Sequence, residues 1–109
     1  MIARVWRGWT AAEDADAYTD YVERTGMRAS RDTPGNLATI VLRRIDGDRA
    51  EFTTITLWES VEAAGGFSGT TDDTAVFYPE DDRYLVDREL TVVYHEVVHS
   101  DPPVGDQPG

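Results

Sequence analysis

The apolar positions of this 109-residue chain fall into short runs separated by turn-forming residues. Ile2 to Gly8 is apolar on both faces, with Ile2 and Trp6 pointing one way and Ala3, Val5 and Trp9 the other. It reads as a strand that runs straight into a helix start. Thr10, with Glu13 three residues on, forms a capping box. Ala11, Ala15, Tyr18, Tyr21 and Val22 then recur at helical spacing to about Thr25. Gly26 reads as the stop. A loop over residues 27–36 holds the Pro34-Gly35 turn signal. Leu37 to Ile45 and Ala50 to Trp58 are β-rich, and Asp46-Gly47 between them is a hairpin signal.

Ser60 caps a short helix over Val61 to Phe67, which each of Gly65 and Gly66 weakens by about 1 kcal/mol relative to alanine. That helix is expected to end early or bend. Thr74 to Tyr78 reads as a helical turn ended by Pro79. Pro79-Glu80-Asp81-Asp82 reads as the start of another short helix, because proline fits the first turn and acids suit the positive end of the dipole. Glu89 to His99 is the last strand. The tail over residues 100–109, rich in Pro, Gly and Asp, reads as disordered. One domain over residues 1–99 remains.

This order predicts an α+β fold on the ferredoxin-like βαββαβ plan, with a four-stranded antiparallel sheet and helices on one face. The strands are apolar on both faces, which in so small a chain predicts a homodimer through the bare face. Charge narrows the partners. A formal net charge of −11 argues against nucleic acid and against anionic membranes. The absence of cysteine excludes thiolate metal sites and fits a cytoplasmic protein. Met1 leads into the first strand without a basic n-region, so no signal peptide is expected. Two separated histidines have no metal-ligand spacing, and neither a P-loop nor a dinucleotide glycine pattern occurs.

Several separated segments resemble one family. Ala3-Arg4-Val5-Trp6-Arg7-Gly8-Trp9-Thr10, Thr33-Pro34-Gly35-Asn36, Leu57-Trp58-Glu59-Ser60 followed by Glu62-Ala63, and Phe77-Tyr78-Pro79-Glu80-Asp81 look like antibiotic biosynthesis monooxygenase-like proteins. The resemblance covers residues 1 to 98. It implies that two chains pair into a dimeric α+β barrel with a ligand cavity between sheet and helices in each. Members include cofactor-independent oxygenases of aromatic polyketides, heme-degrading monooxygenases and proteins without known activity. The heme-degrading branch uses an Asn on strand one, a Trp on helix two and a His as iron ligand. Here those positions hold Trp6, Phe67 and, for the third, a residue near Phe77, so the resemblance points away from heme. Relatives end the last strand His-Tyr-Glu-Val, whereas this chain has Tyr94-His95-Glu96-Val97. A one-residue offset inverts the face, which leaves open whether Tyr94 or His95 meets the cavity.

The candidate site follows from these placements. Arg4 and Trp6 share one face of the first strand, Trp58 and Phe67 belong to the second helix region, and Tyr78 and Tyr84 come from the segment over the mouth. Tyr94 or His95 approaches from the last strand. An aromatic lining with one cation suits a flat, partly anionic molecule such as a polyketide-like phenol. Oxidation of such a substrate without a cofactor needs a base, an anion holder and a carbonyl-orienting group. His95 fits the first by its intrinsic pKa, Arg4 the second and Tyr78 the third. Trp6, Trp58, Phe67, Tyr84 and Tyr94 are the candidate substrate contacts. A non-catalytic ligand-binding or accessory protein, or a cofactor-free cyclase or isomerase, fits the same cavity. Each assignment also has a packing alternative: tryptophans as core or dimer contacts, arginines as partners of acids, and Asp81 and Asp82 as helix-start acids.

Overall fold

The computed structural model describes residues 1–104. Strand β1 (Ile2–Ala11) lies at the centre of the sheet. It pairs antiparallel with β3 (Arg49–Trp58), from Ile2 opposite Trp58 to Ala11 opposite Arg49. Strand β2 (Asn36–Asp46) pairs with the outer side of β3. On the other side of β1 lie β4 (Leu85–Arg88) and β5 (Val93–Glu96), both antiparallel to it. The order β2-β3-β1-β4, with β5 also on β1, is the ferredoxin-like one. The fourth position is filled by two short strands rather than one.

Paired residues share a face, so even-numbered residues of β1 face the helices with Phe52, Thr54 and Thr56. Odd-numbered ones face away. The helices are α1 (Ala15–Val22), α2 (Arg28–Arg31), α3 (Val61–Ser68) and α4 (Asp81–Tyr84). No helix among the described residues is long and apolar enough to cross a membrane.

Five local expectations need correction. Thr10 does not cap a helix. It is fully buried in β1, its hydroxyl donates to the Ala11 carbonyl at 2.8 Å, and a 3-10 turn at Ala12–Asp14 precedes α1. The hairpin partner β3 continues the ladder to Ala11, and that long-range pairing overrides the capping box.

Gly26 does not stop the helix. A π-helical turn, Glu23–Met27, carries it into α2, which buries Met27 and Ser30. Gly65 and Gly66 do not shorten α3. It runs to Ser68, capped by Ser60 accepting from the Ala63 N–H at 3.1 Å and closed by Gly69 at φ 80°. Thr74 to Tyr78 is extended rather than helical, and Thr74 bridges to Thr91.

The last strand begins at Leu85 and is interrupted between β4 and β5. Half of the tail expectation falls on residues 105–109, outside the described residues; in the other half the Val104 N–H donates to the Ser100 hydroxyl at 3.2 Å.

Two glycines explain parts of the sequence pattern. Gly35 has φ 90°, and a Cβ there would lie 2.5 Å from the Ala63 Cβ. The turn after Pro34 therefore packs directly on α3, and the Glu59 N–H donates to the Gly35 carbonyl at 2.9 Å. At Gly8 a Cβ would lie 2.3 Å from Cη2 of Trp6. The Trp6 indole lies along the strand over the space a side chain would take. Its N–H donates to the Glu89 carbonyl at 2.6 Å, which ties it to the break between β4 and β5.

Candidate functional site

A cavity of about 50 Å³ opens between the even-numbered face of β1 and the helical layer. Arg4, Trp6 and Thr54 form its floor. Its walls include Phe67, Phe77, Val92 and Asp81, and Tyr18, Thr25 and Met27 come from the first helical layer. The π turn brings Thr25, Gly26 and Met27 to the lining, in keeping with the frequent occurrence of such turns at functional sites.

Arg4 is 7% exposed. Its Nη2 donates to the Thr74 carbonyl at 3.4 Å, and its guanidinium lies 5.4 Å from the centre of the Phe67 ring. Its Nε is buried without an acceptor. A buried guanidinium normally finds a carboxylate, because removing it from water is costly. Here no ion pair among the described residues includes it.

Asp81 is also buried, and its carboxylate is well served. The Tyr18 hydroxyl donates to Oδ1 at 3.1 Å and the Tyr78 N–H to Oδ2 at 2.7 Å. Burial, followed by the Asp81 charge, raises the Tyr18 hydroxyl far above its ordinary pKa, so it remains a donor to that carboxylate. The same two causes raise Tyr78.

The sequence-derived candidates divide. Arg4, Trp6, Phe67 and Tyr78 meet at the cavity. Trp58 is fully buried behind it, stacked on Phe67 at 6.3 Å between centroids, with its indole N–H on Thr56 Oγ1 at 2.8 Å. Tyr84 packs against Tyr18 and Tyr21 on the far side of the aromatic cluster. Tyr94 is opposite Arg4 on the helix-facing side, packed on the Trp6–Val92 cluster beside the cavity. Its hydroxyl donates to the Asp72 carbonyl at 3.4 Å. His95 is opposite Ala3 on the other face and exposed. The offset in the last strand thus turns Tyr94 to the helices and His95 away.

Several lining residues were not singled out from the sequence. Asp81 reads there as a helix-start acid, and it does open α4, but it is also a buried carboxylate on the cavity wall. Tyr18 reads as helix core and is both core and lining. Thr54, Phe77 and Val92 carried no distinguishing signal, beyond Phe77 standing in a family-like segment.

No protein-family model matches the sequence, and no curated protein does. Solved structures do. A Nitrosomonas europaea protein assigned as an antibiotic biosynthesis monooxygenase superposes with TM-score 0.64 at 16% identity, over 91% of this chain and 100% of that one. A Bacillus cereus protein with the same assignment gives 0.63 at 13%, over 91% and 96%. The heme-degrader MhuD of Mycobacterium tuberculosis, with two hemes bound in its active site, gives 0.57 at 18%, over 92% and 98%. This chain has their fold. The resemblance to antibiotic biosynthesis monooxygenase-like proteins therefore holds across nearly the whole chain at the level of architecture.

Proposed function

We propose that the chain binds a small aromatic, polyketide-like molecule in the cavity over Arg4 and Trp6, and oxidises it with dioxygen without a cofactor. The observation that carries this reading is Arg4, a buried cation with an unused donor and no carboxylate partner among the described residues, set among aromatic rings. Such a group is ready to hold an anion in a site of low polarity, where charge stabilisation is strongest. Deprotonation of a phenol or anthrone gives an electron-rich carbanion. It passes one electron to dioxygen, and the radical pair closes a carbon–oxygen bond. Loss of water then leaves a new carbonyl, so one oxygen atom enters the product and the other leaves as water. The protein supplies the anion holder Arg4, a carbonyl-orienting group in Tyr78 and an enclosure that excludes solvent, and Asp81 on the cavity wall takes the proton in place of His95, which is exposed on the opposite face.

A cavity of about 50 Å³ is well below the roughly 300 Å³ at the lower end of small-molecule sites. Binding in this reading therefore displaces Phe67 or Phe77, which close the cavity from the α3 side and the extended segment. Heme does not fit the residues present. The cavity lining has no histidine or cysteine, both histidines are exposed, and no cluster of three metal-ligating side chains occurs among the described residues.

The working unit in this reading is a homodimer. Ile40, Leu42 and Val93 are exposed on the bare face and Val5, Trp9 and Ile55 are half-buried there. Two pairs of charges on that face are neutralised, Arg7 with Glu89 at 3.2 Å and Arg44 with Glu51 at 3.0 Å, while the exposed Asp87 opposite Trp9 is in no ion pair among the described residues. Arg44 lowers the Glu51 carboxyl below its ordinary value. A strongly acidic chain can thus bring most of this face against a second copy without stacking like charges. Light scattering should give a dimer mass, and Ile40→Glu with Leu42→Glu should return a monomer.

Oxygen uptake with an anthrone substrate tests the activity. Turnover is expected, and Arg4→Ala should lower it by at least about tenfold by removing a charge-assisted contact. No uptake with any phenolic or anthrone substrate would overturn the oxygenase reading.

A further inference from the structure

The cavity holds two buried charges that do not meet. Arg4 and Asp81 both line it, at 7% and 5% exposure. No ion pair within 4.0 Å among the described residues includes either one. Opposite charges in a shared pocket gain by closing on each other, because their attraction is strong where water is scarce. Asp81 is held back by its two hydrogen bonds, one from the Tyr18 hydroxyl and one from the Tyr78 N–H. Arg4 is held by Phe67 and the Thr74 carbonyl. Each carboxylate oxygen keeps lone-pair capacity beyond the bond it accepts. The guanidinium carries five N–H donors, of which one hydrogen bond is accounted for.

We propose that the cavity is a two-ended site for a small aromatic molecule bearing a carboxylate or carbonyl oxygen at one end and a hydroxyl at the other. Arg4 takes the oxygen and Asp81 accepts from the hydroxyl. This deepens the ligand-cavity reading above, and rests on it, by naming the ligand class and its orientation. Arginine is donor-only and an ionised carboxylate acceptor-only, so the two ends are not interchangeable. A ligand with two anionic ends meets repulsion at Asp81, and one without an acceptor leaves Arg4 as it is now.

The Tyr18 hydroxyl donates to Oδ1 of Asp81 and so occupies one lone pair of the carboxylate, leaving the others for the ligand. In turnover, the hydroxyl proton moves from the ligand oxygen to the Asp81 carboxylate. The O–H electron pair stays on the ligand and, where the group at Arg4 is a carbonyl, delocalises through the ring onto that oxygen. No electron leaves the ligand in that step.

The test is calorimetric binding of three probes to the full chain: 4-hydroxybenzoate, which has both groups, benzoate, which lacks the hydroxyl, and phenol, which lacks the carboxylate. 4-Hydroxybenzoate should bind at least about tenfold more tightly than either, as expected for a hydrogen bond to a charged group at each end. Asp81→Asn should remove the advantage over benzoate while leaving benzoate itself nearly unchanged. Arg4→Gln should remove the advantage over phenol. Should Asp81→Asn fail to fold, Tyr18→Phe serves instead: it frees a lone pair on Asp81, and the advantage over benzoate should persist or grow.

Equal affinities for the three probes, binding of none, or an advantage over benzoate that survives Asp81→Asn or vanishes in Tyr18→Phe would each overturn the proposal. The expected order of affinities without oxygen uptake would retain the two-ended site and remove the oxygenase. Oxygen uptake without that order would do the reverse.

Discussion

The helix-covered face of the sheet is packed in two different ways along its length. Toward the hairpin, Tyr18, Tyr21, Phe52 and Tyr84 interlock, with ring centroids 4.9 to 5.8 Å apart and the small Ala15 and Ala50 between them. Toward the start of β1, Trp6 and Phe77 meet edge-on at 6.1 Å, and Trp58 stacks on Phe67 at 6.3 Å. A cavity lies beside these pairs, and a guanidinium stands in its floor. Both ends are aromatic. The filled end alternates large and small side chains so that rings nest. The hollow end places Arg4 and Thr54 where a further ring would go and roofs them with a π turn. Tyr18 belongs to both ends, since its ring packs on Phe52 while its hydroxyl reaches Asp81.

That contrast is open to attack at each end. The largest effect should come from Phe52→Ala. Phe52 is fully buried at the filled end, and its truncation should destabilise the chain by about 3–5 kcal/mol in urea unfolding. Phe67→Ala, on the wall of an existing cavity, should cost clearly less. Equal losses would mean that the two ends are packed alike.

Alkali should act next, through the filled end. Burial holds the Tyr18 hydroxyl far above its ordinary value and pushes Tyr21 up to about 12. The unfolded chain ionises these groups near pH 10, so the stability they contribute is complete below about pH 10. It should fall as pH rises above that, through about 12 for Tyr21. Absorbance at the phenolate band should show Tyr18, Tyr21 and Tyr78 titrating late, together with unfolding. Tyr18→Phe with Tyr21→Phe should flatten the alkaline slope.

A smaller loss, about 1–3 kcal/mol, is expected for Gly8→Ala, whose Cβ would displace the Trp6 ring. Near-UV circular dichroism should report the moved indole. The smallest effect on stability should be that of Arg4→Met. Replacing a buried charge that has no ionic partner among the described residues with an apolar chain of similar length should be neutral or stabilising, even as anion binding is lost. A loss as large as that of Phe52→Ala would make Arg4 a structural residue.

Much of the architecture was legible in the sequence because it rests on short-range periodicity. Alternation in β1 placed Arg4 and Trp6 on one face, and Ser60 announced α3 through the three-residue reach of its cap. The failures share a cause. Thr10 and Glu13 had the chemistry of a capping box, but β3 offered ten partners across the ladder. Gly26 had the chemistry of a stop, but carrying the helix onward buries Met27 and Ser30. Asp81 looked like any acid at a helix start. Its role depends on Tyr18, 63 positions away in the chain. The break between β4 and β5 reflects the Trp6 indole reaching the Glu89 carbonyl, 83 positions away.

The sequence by itself determined the order of elements, the two apolar faces of β1 and the sharing of one face by Arg4 and Trp6. These are properties of neighbours within a few residues. Only the tertiary structure decided which of Tyr94 and His95 turns toward the helices, because that depends on the register of β5 against β1. Only it left Arg4 without a carboxylate while giving Asp81 two donors. Pairing between distant groups is settled by which surfaces pack together, and no local pattern in the chain records it.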